Sequence, residues 1–191
     1  MTALAFVKSA GRGAPETKLL PAKPDVVAES GIFEGYASLF GVTDLARDVV
    51  QPGAFGRSLA SRGARGVRML WQHDPGEPIG TWLKLEEDAR GLRVRGRLNL
   101  AVGRAREIHA LMREGAIDGL SIGYRVTKAA AEPGTRRRLL HEVDLWEISI
   151  VTFPMLPAAR VAAVKAAPPT LAETIRRAAK KLFPAGTPAA A

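Results

Sequence analysis

Apolar residues recur at every second position over residues 92–100, with Leu92, Val94, Leu98 and Leu100 on one side and Arg93, Arg95 and Arg97 on the other. That period of two is the signature of a half-buried strand. Residues 32–40 (Ile-Phe-Glu-Gly-Tyr-Ala-Ser-Leu-Phe) have the apolar and aromatic content of another. Residues 48–55 pass through a Pro52-Gly53 turn into a short helical stretch over 55–60. Further strands are expected over 67–71, ending at His73, and over 79–85, after Asp74-Pro75-Gly76. The period changes to that of a helix over 104–114, where Ala105, Ile108, Leu111 and Met112 share one side and Gly115 closes the segment. Two longer strands follow, over 119–127 and 139–152, joined by a polar Glu132-Pro133-Gly134 turn. Many short strands with one long helix inserted late predict a mainly β, α+β fold: a closed or partly open β-barrel ringed by helices.

The two ends read differently. Residues 1–29 mix Gly, Pro, Lys and Ala without apolar periodicity, as in Gly11-Arg12-Gly13-Ala14-Pro15, and are expected to form a mobile arm. Residues 166–191 are rich in Ala, Pro, Lys and Arg. Within them Leu171, Thr174, Ile175, Ala178 and Leu182 fall at helical spacing with Arg176, Arg177, Lys180 and Lys181 opposite, a basic amphipathic helix. One domain over 30–165 suits a chain of 191 residues, and 47% hydrophobic residues can supply its core.

Composition narrows the chemistry. The chain has no cysteine, so disulfides and Cys-ligated metal sites are excluded. No metal or phosphate-loop motif is present, and no cofactor is expected. No apolar run approaches the ~20 residues of a bilayer span, and the first residues lack the pattern of a secretory leader. The net charge of +9 is spread along the chain with few aromatics among the arginines. It favours acidic protein partners over base-stacking or groove recognition of nucleic acid.

Three segments place a histidine, a serine and a carboxylate in apolar surroundings: Trp71-Gln72-His73-Asp74, Gly119-Leu120-Ser121-Ile122-Gly123 and Leu145-Trp146-Glu147-Ile148-Ser149-Ile150. Those types supply a nucleophile, a base and a group that orients the base. The serine segment matches G-x-S-x-G, but a nucleophile elbow needs a helix next, followed by an acid and then a histidine. Here a strand continues, so that assignment is rejected. Glu147 inside an apolar run requires a partner, because burying a lone carboxylate is costly. By alternation it shares a face with Leu145 and Ser149, while Asp144 lies opposite with Trp146 and Ile148. Asp144, Asp74 and His141 stay open as alternative third members. His109, on a largely polar side of the helix, is expected to be solvated.

Taken in order, the motifs resemble those of the prohead maturation proteases of tailed phages with an HK97-type capsid. They are Gly35-Tyr36-Ala37 with Phe40, Val49-Val50-Gln51-Pro52-Gly53-Ala54-Phe55, Leu70-Trp71-Gln72-His73-Asp74, Pro78-Ile79-Gly80, Leu120-Ser121-Ile122-Gly123-Tyr124, and Glu147-Ile148-Ser149-Ile150-Val151 with Pro154. The resemblance covers about residues 31–165. It implies a barrel like that of the herpesvirus assemblins and a catalytic set of His73, Ser121 and Glu147. The 26-residue step from Ser121 to Glu147 (147 − 121) is close to the family's arrangement, and His141 falls short of it. Likeness to assemblins also implies oxyanion donors near Pro154-Met155-Leu156-Pro157. The implied role is capsid maturation inside the assembling procapsid, in the host cytoplasm. Scaffold or the N-terminal extension of the major capsid protein would be cut, and the enzyme itself in its tails, with the basic C-terminal helix as a tether. Gene transfer agents and domesticated prophages carry enzymes of the same type. Self-association is left open, and neither specific nucleic acid nor a membrane is expected as a partner. The rival readings are a non-enzymatic capsid-assembly or scaffolding protein and a basic nucleic-acid-binding protein.

Overall fold

The computed structural model describes residues 28–162. Along them the chain forms β1 (Ile32–Leu39), β2 (Asp48–Val50), α1 (Gly56–Gly66), β3 (Arg68–Trp71), β4 (Asp74–Glu87), β5 (Gly91–Leu98), α2 (Gly103–Glu114), β6 (Gly119–Ala131), β7 (Arg138–Val151) and β8 (Val161–Ala162). The tail expected at 166–191, and all but the last two residues of the arm at 1–29, lie outside the described residues. Among the described residues no helix is long and apolar enough to cross a membrane.

The period-two stretch forms β5 as its pattern requires, with Leu92, Val94 and Leu98 buried and the arginines between them exposed. Antiparallel pairing puts β4 on one side of it and β1 on the other. The full order is β2-β7-β3-β4-β5-β1-β8, with β6 on the other edge of β7. Past β7 the sheet curls back on itself. Arg160 bridges Gly119 at the start of β6, and Leu120 N–H donates to Ala159 O, while Tyr36 N–H of β1 donates to Arg160 O. The result is a mainly β, partly open barrel with two helices. Its core includes Phe33 and Trp82, which meet edge to face at 5.7 Å. Burying an aromatic side chain contributes roughly 1.5–3 kcal/mol, so this pair anchors the β1–β5–β4 wall.

Local departures from the expected pattern have identifiable causes. The first helix runs on to Gly66 instead of ending near residue 60, across a kink at Gly63 (φ 62) that interrupts the helical sequence pattern. β4 starts at Asp74, not after the Pro-Gly pair; Pro75 is tolerated because this stretch pairs with β3 only at Asp74 and Pro78. In α2 Ala105, Ile108 and Met112 face the core, but Leu111 is exposed at the rim of that stripe. Gly115 ends the helix in the left-handed region (φ 76), as a C-terminal glycine should. His109 is half-buried, with Nε2 3.1 Å from the carbonyl of Ala28, so it ties the start of the described chain to α2.

β7 carries the most demanding backbone. One edge pairs with β6 throughout, and the other must be satisfied piecemeal. β2 runs parallel along Arg138–Leu140 and β3 along Glu147–Ile150. Between them Val143 N–H donates to Ala54 O and Leu145 N–H donates to Ser58 Oγ at 2.9 Å. Ser58 and Leu145 are both buried. Replacing Ser58 by Ala strands that N–H, at a cost of about 1–3 kcal/mol. Urea denaturation of Ser58→Ala is expected to show this as a lower midpoint with unchanged slope.

Candidate active site

The chain turns from β3 to β4 in only two residues, because Trp71 pairs with Asp74. Two-residue hairpin loops favour positive φ at both central positions, where Asn-Gly is the usual solution. Here the positions are Gln72 (φ 52) and His73 (φ 61). A side chain in that region costs about 1–2 kcal/mol per residue, so the turn must be held by its surroundings. Gln72 N–H donates to Ile150 O, and its side-chain amide meets Thr152, with Nε2 to Oγ1 at 2.7 Å. His73 N–H donates to Ser149 Oγ at 3.1 Å. All these holds come from the end of β7 and the residue after it.

The turn projects the imidazole between β6 and β7. His73 Nε2 lies 2.9 Å from Ser121 Oγ, and Nδ1 lies 2.6 Å from Glu147 Oε1. Hydrogen-bonding roles follow from the partners. An ionised carboxylate only accepts, so Nδ1 carries the proton and Nε2 accepts from the Ser121 hydroxyl. The hydrogen bond to Glu147 raises the His73 pKa above its ordinary 6.5, against the lowering effect of partial burial. Ser121 is itself buried, and a cavity of about 190 Å³ opens beside it, lined by residues of both β1 and β6. Leu39, Val50 and Leu156 supply apolar wall, and Asp44 and Tyr124 supply polar groups. Burial pushes the Tyr124 phenol up, so it stays protonated and donates to Asp48, which is held in a two-pronged pair by Arg138.

Glu147 reaches this face through a bulge. Gly123 pairs with Glu147 but Tyr124 pairs with Leu145, so Trp146 is the extra residue on β7. Leu145 and Ile148 therefore both point into the core, and Glu147 shares its face with Ser149 but not with Leu145. The strict alternation read from the sequence fails here for that reason. Gly123 makes the room: a Cβ built there would overlap the Glu147 carboxylate.

The His73 ring is hydrogen-bonded to none of the other candidates. Asp144 takes a two-pronged hydrogen bond from Arg62 and one from Trp146 Nε1, and hydrogen bonds hold its pKa low. Asp74 accepts from Gly76 N–H, closing its own turn. His141 is exposed, at a second register shift of β7. Two contributors were not singled out by sequence reasoning: Gln72 and Ser149. Ser149 carried a signal, since it is the polar residue two positions after Glu147 in an otherwise apolar run.

A family model described as Caudovirus prohead serine protease matches residues 20–173. The chain is 40% identical over 139 residues to the prohead protease of Enterobacteria phage HK97, a match spanning 72% of this chain and 61% of that protein. It thus spans about three fifths of the length of that curated relative. Among solved structures, the capsid assembly protease of bacteriophage T4 has the same fold, with a TM-score of 0.50 at 14% identity over 63% of this chain and 80% of the other. The KSHV protease aligns over 68% of this chain and 63% of its own at 10% identity, with a TM-score of 0.47.

Substituting Gly123 by Ala should displace Glu147 from Nδ1 of His73. The expected result is a folded protein whose hydrolysis of any substrate of the wild type falls at least 10-fold, part of the roughly 10²- to 10⁴-fold that a positioned base contributes. Equal rates for Gly123→Ala and wild type would show that the carboxylate position is unimportant.

Proposed function

Because the chain belongs to the Caudovirus prohead serine protease family, we propose that it is a serine endopeptidase of procapsid maturation, with Ser121 as nucleophile, His73 as base and Glu147 as the group that orients it. The observation that carries this reading is the unbroken line from Ser121 Oγ to Nε2 at 2.9 Å and from Nδ1 to Glu147 Oε1 at 2.6 Å, at the edge of an open cavity. Ser121 Oγ attacks the scissile carbonyl as its proton passes to Nε2. The imidazolium, stabilised by Glu147, then gives that proton to the departing amine, leaving an acyl-serine. Water enters and attacks the acyl carbonyl as it loses a proton to Nε2; Nε2 then returns that proton to Ser121 Oγ as the ester bond breaks, releasing the new carboxylate and the free serine.

The remaining parts are supported more locally. Pro154 and Pro157 have no N–H to offer, and among the described residues the N–H groups of Met155 and Leu156 have no acceptor. Both residues line the cavity beside Ser121, which suits them as oxyanion donors. On the side away from β7, β6 is bridged only at Gly119 among the described residues, leaving its edge past Ser121 free to align an extended chain. We take residues 30–165 as the protease domain, acting inside the assembling procapsid in the host cytoplasm. Its substrates are scaffold or the N-terminal extension of the major capsid protein, together with its own flanking segments 1–29 and 166–191. The basic sequence at 171–182 suits a tether to acidic segments of those substrates.

Co-expression with the neighbouring capsid gene, read by intact mass, tests the assignment. Wild type should yield shortened capsid or scaffold protein and shortened protease, and Ser121→Ala should yield none. Loss of a nucleophilic serine lowers the rate by on the order of 10⁴ to 10⁶. Normal processing by folded Ser121→Ala would refute the mechanism. In the same assay Glu147→Gln should greatly impair cleavage, while Asp144→Asn, His141→Ala and His109→Ala should leave most of it. Inactivation by His141→Ala together with a benign Glu147→Gln would reassign the third member.

A further inference from the structure

We propose that Ser149 is a positioning residue, whose hydroxyl closes a ring of hydrogen bonds that locks the imidazole of His73 to its own backbone and to Glu147. This rests on the assignment of Ser121, His73 and Glu147 argued above. The ring has three links. His73 N–H donates to Ser149 Oγ at 3.1 Å, Ser149 Oγ–H donates to Glu147 Oε2 at 2.6 Å, and Glu147 Oε1 accepts from His73 Nδ1 at 2.6 Å.

The directions of these bonds are forced. A backbone N–H only donates, so Ser149 Oγ must accept there, and its single proton is left for the carboxylate. Glu147 then has one oxygen for the serine and one for the imidazole. The histidine is gripped twice, at its main chain and at its ring, so rotating the imidazole about its side-chain bonds breaks the link to Glu147 while the backbone stays fixed. Ser149 is fully buried, and a hydroxyl there without partners would be costly. Its register is equally constrained: on β7 it pairs with Ser121 of β6 on one side and Leu70 of β3 on the other. The strained turn gains a purpose in this light. Positive φ at His73 aims its N–H at β7, where Ser149 waits.

The ring acts on proton transfer as well as on place. Held against Glu147, His73 has a raised pKa, and only the neutral imidazole accepts a proton from Ser121. Other charged or titratable groups near the ring are Asp44, Asp48 with its partner Arg138, and the neutral Tyr124 across the cavity, Asp74 in the adjoining strand, and Arg68, which pairs in register with Glu147. Of these groups only Glu147 is in hydrogen-bond contact with the imidazole. Loosening that one contact therefore moves the His73 pKa back toward 6.5, and the acid limb of the rate profile moves with it.

The experiment uses the purified full chain and a fluorophosphonate probe, which reports the reactivity of the nucleophilic serine without knowledge of the substrate. Labelling rates are measured against pH for wild type, Ser149→Ala and Ser121→Ala, with thermal unfolding as a check on folding. Ser149→Ala removes one oxygen and adds no bulk. It should lose 10- to 100-fold in labelling rate, and its acid limb should lie at lower pH than that of wild type. A wild-type rate, or a reduced rate with an unshifted acid limb, overturns the proposal, since a purely structural serine would leave the limb in place. Undiminished labelling of Ser121→Ala would instead overturn the nucleophile assignment, and so separates the two failures.

Discussion

The register of β7 is the constraint on which the site depends. This strand is hydrogen-bonded along both edges, to β6 on one and to β2, Ala54, Ser58 and β3 in turn on the other. Side chains on a strand alternate, so a slip of one residue would exchange every core and surface position. Here the strand is pinned at both edges while carrying a bulge at Trp146, and the bulge turns Glu147 to the side where Gly123 leaves space. Two residues further on, Ser149 comes opposite Ser121. The positions of Ser121, Glu147 and Ser149 are thus set by one pairing pattern.

The histidine arrives by a different route and at a cost. A two-residue connection between β3 and β4 forces Gln72 and His73 into backbone conformations that suit glycine. Four hydrogen bonds to residues of β7 and Thr152 offset that cost: two from Gln72, one from the main chain of His73, and one from its ring to Glu147. A net bond contributes only about 0.5–1.5 kcal/mol, more when charged, so several are needed against two strained residues. The geometry is therefore cooperative. The turn is stable where β7 is in register, and the imidazole is aimed only when the turn is stable.

Much of the fold is legible in the sequence because burial writes itself into periodicity. Leu92, Val94 and Leu98 alternate with arginines and form a strand, and Ala105, Ile108 and Met112 recur at helical spacing before Gly115. What escapes is structure that breaks a period. Gly63 conceals the second half of α1, Pro75-Gly76 conceals the start of β4, and the extra residue at Trp146 moves Leu145 from the face of Glu147 to that of Ile148. Ser121 and Glu147 stood out because each is polar within an apolar strand, and His73 because it follows the end of one; the structure brings the three side chains into contact. Ser149 and Gln72 were not singled out, because what they hold is the main chain and ring of a tight turn whose contact with β7 composition does not report. Nor does a sequence say that Gly123 is needed for the carboxylate facing it across the sheet.

The contact between Glu147 and His73 aims the imidazole, and NMR titration of the His73 ring in the full chain tests it most directly. In wild type the imidazole should titrate above 6.5, because the hydrogen bond to Glu147 outweighs partial burial. In Glu147→Gln the raising cause is gone and burial remains, so the midpoint should fall to 6.5 or below. Identical midpoints in the two proteins would contradict the account, because they would mean that the carboxylate does not hold the imidazole in solution.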